Sequence, residues 1–417
     1  MKQVYLISLL FLLLSSCNYE EKDLFDQTPA ERLNNAINDT YTNLTNAANG
    51  WEMAYFTNPE NAGYTLLVKF RKDGKAIVAS QSSLTQNEAY EQDSSLFELI
   101  ADYGPVLTFN TYNKVLHRFS NPENPDGYGY EGDYEFVVIK NSEEQIILKG
   151  KKYKSIIVLT KLNSTVNWIT HLQELTNTDK LLFSANAPKL TMTTKNGTYS
   201  FTEGYKHVFL MKKDGTTTTT RVPFIITKQG IRLQQEIEID GLKFQNFELS
   251  ADYTALISKE NPTYKLSGTE DLATFAMNNI KDWKLNPENM SESLKSSYNT
   301  VLNSFKATYN ADSMSLNITY LINRFVLNVK YSQATVSNEG KIDMEIIPTA
   351  KDALSLNKKT ASDTNGTKFL NEIPELTNFI NLLSTNYTLS TVTKLNPRTI
   401  WFSKKTDTNQ WFIISGE

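Results

Sequence analysis

The chain has 417 residues, a formal net charge of −4 and a hydrophobic content of 40%, which predicts two or three domains with sizeable cores. Its 42 lysines and arginines form no basic stripe, which argues against a nucleic-acid partner. The single cysteine excludes internal disulfides and cysteine-ligated metal sites.

The N-terminus is typical of a lipoprotein signal peptide. Lys2 supplies the positive start, and residues 4–14 form an apolar run that is too short to span a membrane. The following Leu14-Ser-Ser-Cys17 has the form of a lipobox, whose cysteine receives the lipid. The alternative is an ordinary secretory signal with a coincidental cysteine. We therefore predict a signal peptide over residues 1–17, lipidation at Cys17 and an acidic tether over residues 18–28. Several acyl chains on one cysteine would attach the protein permanently to a membrane.

A helix is predicted to open the first module. Thr28 and Glu31 form a capping box, with Pro29 in the first turn. A stripe of apolar residues follows, formed by Leu33, Ala36, Ile37, Leu44 and Ala48, and Gly50 ends the helix. Strands are predicted at residues 51–56, 64–70, 77–79, 96–100, 106–112, 134–139, 145–148 and 156–160. Residues 29–162 are therefore predicted as a helix plus an antiparallel meander.

The pattern restarts after residue 162. A helix is predicted over residues 166–183, and Gly204-Tyr205 then precedes Lys212-Lys-Asp-Gly215. The spacing is the same as that between Gly63-Tyr64 and Arg71-Lys-Asp-Gly74, which indicates a repeat of a helix-then-meander unit over residues 163–262. Chance is the alternative, because Asp-Gly hairpins are common. Strands are predicted at residues 224–227, 231–238 and 242–249.

Residues 263–417 are predicted as a C-terminal α+β module. A capping box at Ser267 and Glu270 opens a short helix, and a longer helix covers residues 290–309. Residues 368–383 are helical, with Pro374 interrupting the helix or starting its second half. Strands are predicted at residues 315–321, 325–331, 341–347, 389–393, 399–403 and 411–414. The predicted fold class is α+β and β-rich, with antiparallel meanders each packed by one or a few helices in about three modules.

The most unusual residues cluster around one loop. An alternating strand from Leu107 to His117 enters a loop rich in Pro, Asn and Gly, and a second strand follows. We select as candidate ligand-binding residues Tyr112, His117, Phe119, Tyr128, Tyr130, Asp133 and Tyr134. Aromatic rings suit sugars, peptides or flat ligands, and Gly127, Gly129 and Gly132 allow close backbone approach. Alternatively, the tyrosines pack the sheet and the glycines form turns.

The sequence indicates a metal site or a catalytic site less strongly than it indicates the ligand-binding loop. Glu123, Asp126, Glu131 and Asp133 offer oxygen ligands suited to Ca²⁺, but their spacing matches no EF-hand. His117, His171 and His207 are far apart and are interpreted as structural. The sequence contains no nucleophile elbow, phosphate loop or dinucleotide fingerprint. We therefore predict no cofactor, no metal and no catalytic residue. A pair of carboxylates such as a glycosidase uses is the alternative, because the sequence does not exclude it.

Several motifs together carry a family resemblance. The main motifs are residues 107–113, Leu116-His117 and residues 127–136. Gly50-Trp51, Gly63-Tyr64 and the Lys72-Asp-Gly74 turn fit the same pattern. Together these motifs resemble the Bacteroidetes surface lipoproteins catalogued as domain of unknown function 4302. The resemblance covers most of the mature chain. The acidic run containing Glu20, Glu21 and Asp23 resembles the signal that exports such lipoproteins to the outer face of the outer membrane.

The resemblance implies a role in nutrient capture, since such lipoproteins tend to be encoded beside TonB-dependent transporters and substrate-capturing lipoproteins. We expect a non-catalytic binding or accessory subunit whose ligand is a glycan, a peptide or a small molecule. One alternative is a structural partner that docks onto an outer-membrane transporter. Another is a hydrolase with an unrecognised carboxylate pair.

Overall fold

The computed structural model describes residues 26–102, 104–122, 129–183, 189–269, 271–279, 282–321, 324–361, 363–395, 397 and 399–415. The predicted lipidation site Cys17, the acidic run from Glu20 to Asp23 and the loop residues Glu123, Asp126 and Tyr128 lie outside these residues. No helix in the described ranges combines the length and the apolar character needed to cross a membrane.

The first module is a closed antiparallel barrel preceded by helix α1 (Pro29–Asn46). Each strand pairs with the next in the chain, and β8 pairs back onto β1. The strands are β1 (Trp51–Phe56), β2 (Gly63–Phe70), β3 (Lys75–Ser80), β4 (Glu91–Asp102), β5 (Gly104–Phe109), β6 (Glu135–Asn141), β7 (Gln145–Gly150) and β8 (Ile156–Lys161). One short helix, α2 (Lys114–His117), lies between β5 and β6.

Helix α1 begins at the capping box that the sequence indicates. The Thr28 hydroxyl accepts a hydrogen bond from the Glu31 amide at 3.3 Å, and the Thr28 amide donates to the Glu31 carboxylate at 2.9 Å. Near the other end of the helix, Leu44 is fully buried, and its carbonyl accepts a hydrogen bond from the indole of Trp51 at 3.1 Å. The helix therefore shares the core of the barrel, where alternate strand residues such as Trp51, Met53 and Tyr55 are buried.

The second module has the same architecture. Helix α3 (Trp168–Leu182) precedes a second closed barrel in which the last strand pairs with the first. Its strands are β9 (Lys189–Thr194), β10 (Gly197–Tyr205), β11 (Val208–Lys213), β12 (Thr219–Thr227), β13 (Gly230–Ile239), β14 (Leu242–Leu249), β15 (Ala255–Ser258) and β16 (Lys265–Ser267).

The matching sequence motifs occupy different hairpins of the two barrels. The turn with Gly74 joins the second and third strands of its barrel, whereas the turn with Gly215 joins the third and fourth. Both glycines have φ of +78°, a backbone conformation that other residues rarely adopt. The shared spacing therefore reflects the chemistry of Asp-Gly turns, while the repeated unit itself is a helix followed by an eight-stranded barrel.

The third module is an eight-stranded antiparallel sheet packed by helices. Its helices are α4 (Leu272–Asn279), α5 (Glu292–Tyr309), α6 (Thr364–Glu372) and α7 (Pro374–Leu383). Its strands, in sheet order, are β17 (Asp282–Lys284), β18 (Ser313–Leu321), β19 (Arg324–Gln333), β20 (Val336–Ala350), β21 (Ala353–Ala361), β22 (Thr385–Ser390), β23 (Thr399–Lys404) and β24 (Trp411–Ser415). The β-rich α+β class and the three antiparallel modules are confirmed.

Two boundaries differ from the sequence-based prediction. Strand β16 pairs with β15 and β9, so the second barrel extends beyond residue 262. Ser267 ends this strand instead of capping the next helix, because the carboxylate of Asp271 accepts the Thr274 amide at 2.8 Å and starts α4.

Pro374 starts a separate helix after α6, in line with its preference for a first helical turn.

The two barrels pack directly against each other through β2 and β12. Phe56, Ala54 and Ile225 form a small buried cluster between them. On the first barrel, Leu67 and Ala79 belong to the hydrophobic core of the second module, which α3 also lines. We call this contact between the barrels the seam.

Gly63 lies in the seam, where any side chain would collide with its neighbours. A Cβ atom there would lie 2.1 Å from Ile225 Cγ2 and 2.5 Å from Phe56 Cε1. We expect Gly63→Ala to lower the free energy of unfolding by about 1–3 kcal/mol, the usual cost of overpacking, as measured by chemical denaturation.

Gly74→Ala provides the matched control for this variant. Gly74 has open space around its Cα and φ of +78°, so its substitution costs backbone strain without a collision. In an Ile225→Ala background, the cost of Gly63→Ala should be smaller than in the wild type, whereas the cost of Gly74→Ala should be unchanged. Equal responses of the two glycine variants would show that the seam is not tightly packed at Gly63.

Candidate functional site

A cleft of about 540 Å³ opens beside the seam, between the two barrels. The first barrel contributes the start of β2 and the segment after β3, while the second module contributes one side of α3 and the turn between β10 and β11. The volume lies within the range of small-molecule sites, which occur preferentially at domain interfaces. The cleft is therefore the candidate functional site.

Helix α3 and the residue that follows it supply most of the apolar side chains of the cleft, beside the polar Thr176, Asp179 and Lys180. Leu172 and Leu175 come from the helix, Phe183 follows its last residue, and Ile226 comes from β12. All four side chains are buried, and the spacing of the helical residues keeps them on one face. Thr176 adds a hydroxyl to the same face. The apolar side chains offer contact area for an apolar surface of a ligand.

Most residues that the first barrel contributes to the cleft are polar, with Tyr64 adding an aromatic ring. Thr65, Gln81, Ser82 and Ser83 line the cleft. The side-chain amide of Gln81 donates to the Glu88 carbonyl and to the Gln173 side chain, at 2.9 Å in both cases. The Gln81 Oε1 atom is shielded from solvent and has no hydrogen-bond partner in the described part of the chain. A buried acceptor without a partner is costly.

One histidine connects the parts of the cleft. His207 lies in the tight turn between β10 and β11 with φ of +59°, and its amide donates to the Glu203 carboxylate at 2.9 Å. Its ring nitrogens lie 3.2 Å from the carbonyl oxygen of Gly63 and 2.9 Å from a carboxylate oxygen of Asp179. A carbonyl and a carboxylate both accept hydrogen bonds, so each ring nitrogen of His207 faces an acceptor. His207 thereby joins the first barrel, α3 and the second barrel.

Asp179 is engaged at both carboxylate oxygens. One oxygen contacts His207, and the other lies 3.1 Å from the ammonium group of Lys206. Burial acts to raise the pKa of Asp179, but the hydrogen bond and charge of His207, together with Lys206, outweigh burial and lower it. The carboxylate is therefore held ionised within the cleft.

Glu203 is shifted in the opposite direction. Burial raises the pKa of this carboxyl, and the nearby charge of Asp179 adds to the increase, while the amide of His207 offsets only part of it. Two carboxyl groups of one cleft thus have pKa values moved apart, a pattern found where acid and base roles are divided.

The structure gathers three of the residues selected from sequence into an exposed stack. The His117 ring lies between Tyr112 and Tyr134, with ring centroids 5.2 and 5.0 Å away. Burial lowers the pKa of His117, and the backbone of Asn113 offsets this only in part. Both tyrosines are exposed, so this stack is a surface feature outside the cleft.

The prediction of a continuous strand from Leu107 to His117 is wrong. Strand β5 ends at Phe109, and residues 114–117 form α2. The side chain of Asn113 accepts hydrogen bonds from the amides of Val115 and Leu116, which caps a helix in place of strand pairing.

Two other selected residues belong to the scaffold of the first barrel. Phe119 is 1% exposed and packs against Tyr55 at a centroid distance of 5.0 Å. Asp133 is buried, and its carboxylate accepts the amides of Lys152 and Tyr153, both at 2.8 Å. Burial raises the pKa of Asp133, and these hydrogen bonds oppose the shift without cancelling it. Its oxygens therefore hold a turn.

An aromatic chain joins the predicted loop to the cleft. Tyr130 contacts Phe119 at 6.0 Å, Phe119 contacts Tyr64 at 4.7 Å, and Tyr64 lies 6.5 Å from His207, all between ring centroids. Tyr64 lines the cleft, so the loop lies behind one of its walls. The sequence singled out Gly63-Tyr64 and Gly204-Tyr205 as parts of a possible repeat, and His207 as a structural residue. It did not indicate that Gly63, Tyr64 and Gly204 line the same cleft.

The described ranges contain no group of three or more His, Cys, Asp or Glu residues placed to hold an ion. His171 pairs with Glu52 at 2.6 Å, and His207 with Asp179. Glu131 receives a hydrogen bond from Asn58. Of the predicted calcium ligands, Glu123 and Asp126 lie outside the described residues.

Comparison with known proteins identifies one family model, described as "Domain of unknown function (DUF4302)", which matches residues 21–251. No curated protein matches the chain. Among solved structures, the beta subunit from DNA polymerase of Streptococcus pyogenes matches with 11% identity, 92% of this chain and 96% of that chain covered, and a TM-score of 0.15. DNA polymerase III subunit beta from Borrelia burgdorferi, in complex with a natural product, matches with 11% identity, 93% and 97% coverage, and a TM-score of 0.14. Such low TM-scores carry no argument about fold or function.

Proposed function

Because the chain belongs to the family described as domain of unknown function DUF4302, whose description names no activity, we propose a function from the site itself. We propose that the protein is a surface lipoprotein that acts as a non-catalytic binding or accessory subunit in nutrient capture. Its ligand binds in the cleft between the barrels. The description of the family neither adds to nor limits this proposal.

The proposal rests mainly on the observation that hydrogen bonds within the protein already hold the polar side chains of the cleft in place before a ligand binds. His207 is held by Gly63 and Asp179, and Gln81 is held by Glu88 and Gln173, before any ligand arrives. Side chains that are already ordered lose little conformational entropy on binding, which favours affinity. Both ring nitrogens of His207 and both oxygens of Asp179 are engaged, which supports binding over catalysis.

A blocked cleft provides the direct test. Ser83 is exposed and lines the cleft, so Ser83→Trp should obstruct it without disturbing a core. Ser94, exposed on β4 and outside the cleft lining, gives the matched control Ser94→Trp. Glycans, peptides and small metabolites are screened by thermal shift on the mature chain. A compound that stabilises the wild type and Ser94→Trp but not Ser83→Trp supports the proposal. Stabilisation retained in Ser83→Trp for every active compound contradicts it.

Membrane attachment through Cys17 is part of this proposal. In Cys17→Ala, we expect the protein to leave the membrane fraction, because the acyl chains supply the attachment. Cell fractionation and incorporation of radiolabelled palmitate measure the change, and protease added to intact cells tests exposure at the outer face of the outer membrane. Palmitate still incorporated into Cys17→Ala would overturn the assignment of the anchor.

A TonB-dependent transporter and its substrate-capturing lipoprotein are the partners that we propose. The resemblance of the sequence motifs supports this, and docking onto the transporter as a structural subunit is the alternative role. Co-purification with a transporter from detergent extracts tests both. Retention of that complex by Ser83→Trp would favour a structural role over ligand delivery.

One observation favours a second candidate function, a hydrolase. Asp179 and Glu203 share the cleft, and their pKa values are shifted in opposite directions by their surroundings. A protonated carboxyl and an ionised one are the groups that a glycosidase uses. Hydrolysis of aryl glycosides by the wild type, lost in Glu203→Gln, would establish this candidate, and no turnover by the wild type would remove it.

Glu203→Gln also tests the electrostatics of the cleft independently of activity. Because burial raises the pKa of Glu203, its stabilising contribution is present below the unfolded pKa near 4.5 and is lost as pH rises through the folded pKa. Glutamine cannot ionise, so Glu203→Gln should become more stable relative to wild type as pH rises above the unfolded pKa of Glu203. Thermal melts at a series of pH values measure the difference. A constant difference would mean that Glu203 is not desolvated.

A further inference from the structure

We propose that the cleft takes an organic cation, a ligand whose ammonium group pairs with Glu203 and whose apolar body contacts the apolar side chains of the lining. This inference rests on the proposed function, in which the cleft is a binding site. It goes further by assigning the chemical class of the ligand.

The first argument is that one carboxylate of the cleft has no cationic partner. Both lysines of the lining already contact other carboxylates. Lys180 lies 2.5 Å from Glu88, and Lys206 lies 3.1 Å from Asp179. In the part of the chain that the structure describes, no side-chain cation lies within ion-pair distance of Glu203. A cationic group of a ligand would supply the missing partner.

The second argument is that the Glu203 carboxylate is open to the cleft. It lies near the end of β10, where the pairing with β11 shifts register between Glu203 and Tyr205, and such a bulge changes the direction of a side chain. One of its oxygens accepts the His207 amide at 2.9 Å. The other oxygen has no hydrogen-bond partner among the described residues and is accessible to solvent, unlike Oε1 of Gln81. A donor on a ligand can therefore reach it.

The third argument concerns the electrostatic cost of filling the cleft, because a ligand removes water from Glu203. Burial already raises the pKa of this carboxyl, and the amide of His207, with the charges of His207 and Lys206, offsets only part of the increase. An anionic ligand would add repulsion, and a neutral one would leave the carboxylate desolvated without a counter-charge. An ammonium group supplies both the opposite charge and N–H donors.

The rest of the lining indicates that the cation is organic. Leu175, Phe183 and Ile226 line the cleft and expose 6 or 7% of their surface, which gives an alkyl or aryl group an apolar contact. Tyr64 adds an aromatic ring, and the face of such a ring attracts a cation. Across the described ranges, no three acidic, histidine or cysteine side chains are placed to hold a metal ion. An ammonium compound with an apolar body therefore fits better than an inorganic cation.

The test uses pairs of ligands that differ in charge, titrated calorimetrically into the mature chain. Phenethylamine is compared with phenethyl alcohol, and hexylamine with hexanol. Leucyl-glycine amide is compared with its N-acetylated form, and N-acetyl-lysine amide with N-acetyl-norleucine amide. We expect at least one ammonium compound to bind, and its neutral counterpart to bind about tenfold more weakly or less. The pair that responds distinguishes a free amine, a peptide N-terminus and a lysine side chain as the source of the cation.

Two matched variants locate the interaction. Glu203→Gln should weaken binding of the ammonium compound about tenfold and remove its advantage over the neutral counterpart. Glu238→Gln removes an exposed carboxylate of the same barrel outside the cleft and should leave binding unchanged. The comparison of ligands on the wild type needs no variant, so the test does not depend on the folding of Glu203→Gln.

Proton release gives a second readout. At a pH just above the unfolded pKa of 4.5, an ammonium compound should release a proton from Glu203, because it favours the ionised carboxylate. A neutral acceptor that binds the protonated acid would instead cause proton uptake. Titration in buffers of different ionisation enthalpy measures the protons exchanged, and Glu203→Gln should abolish the release.

The outcomes separate the ligand class from the proposed function. Suppose that a ligand binds the wild type and is lost in Ser83→Trp. Equal binding of its neutral counterpart, or unchanged binding in Glu203→Gln, then overturns the cation assignment and leaves the cleft as the binding site. Failure of every ammonium compound in the pairs to bind overturns the assignment as well. If every ligand that is found binds Ser83→Trp as well as it binds the wild type, the proposed function fails together with the inference.

Discussion

Replacing Asp179 by alanine is expected to lower the free energy of unfolding by about 1–3 kcal/mol, since it leaves a buried ring nitrogen of His207 without its hydrogen-bond partner. His207 is 7% exposed and would lose the carboxylate at 2.9 Å from its ring nitrogen. The link from α3 through His207 to Gly63 of the first barrel would be weakened with it. Chemical denaturation of the mature chain measures the loss.

Lys206→Ala is the matched control, because it removes the other partner of the same carboxylate. The Lys206 side chain is 45% exposed, and an exposed ion pair contributes about 1 kcal/mol or less. The effect of Asp179→Ala should also depend on pH. The surroundings lower the pKa of Asp179, so its contribution is present above the unfolded pKa of 3.8 and is lost as pH falls through the folded pKa. Equal losses in the two variants at neutral pH would show that His207 does not depend on Asp179.

Phe119→Ala is expected to cost about 3–5 kcal/mol, whereas Tyr130→Ala should melt within a few degrees of wild type. Phe119 is 1% exposed among the rings of Tyr55 and Tyr64, and its removal leaves a cavity in the first barrel. Tyr130 is 39% exposed and meets Phe119 edge-on at 6.0 Å, so its truncation removes little buried area. Thermal melts of the two variants measure the contrast.

This pair of variants separates scaffold from surface in the predicted loop. A large drop in the melting temperature of Tyr130→Ala would show that the described part of the loop is structural. The loop would then no longer be a candidate ligand site. If Phe119→Ala proved as mild as Tyr130→Ala, the aromatic chain from the loop to the cleft would not be a packed unit. Tyr128, the neighbouring residue selected from sequence, lies outside the described residues.

Local features of the fold were accessible from sequence because they depend on neighbouring residues. The capping box at Thr28 and Glu31 starts α1, and the Asp-Gly turn at Gly74 forms as its chemistry requires. Barrel closure was not accessible. Alternating apolar residues indicate which face of a strand is buried, but they do not say that Trp51 pairs with Lys161 more than a hundred residues later.

The cleft escaped prediction for a related reason. Its residues come from separate segments that include Gly63, Gln81, Asp179 and His207, and only the packing of the two barrels brings them together. No segment has the spacing of a known site. The aromatic residues of the loop are close together in sequence, so the sequence pattern indicates a site there. The same pattern predicts a strand through residues 114–117, where Asn113 instead caps α2.

The closing strands of the two barrels have a consequence for the order in which the chain opens. Every other pairing in each barrel joins consecutive strands, which form quickly from local hairpins. Closure of the first barrel uses four paired positions between β1 and β8. Closure of the second, among the residues that the structure describes, uses only Ser267 with Thr191, and β16 is three residues long. The second barrel should therefore unzip first, at β16, and its amide hydrogens there should exchange with solvent earlier than those of β8.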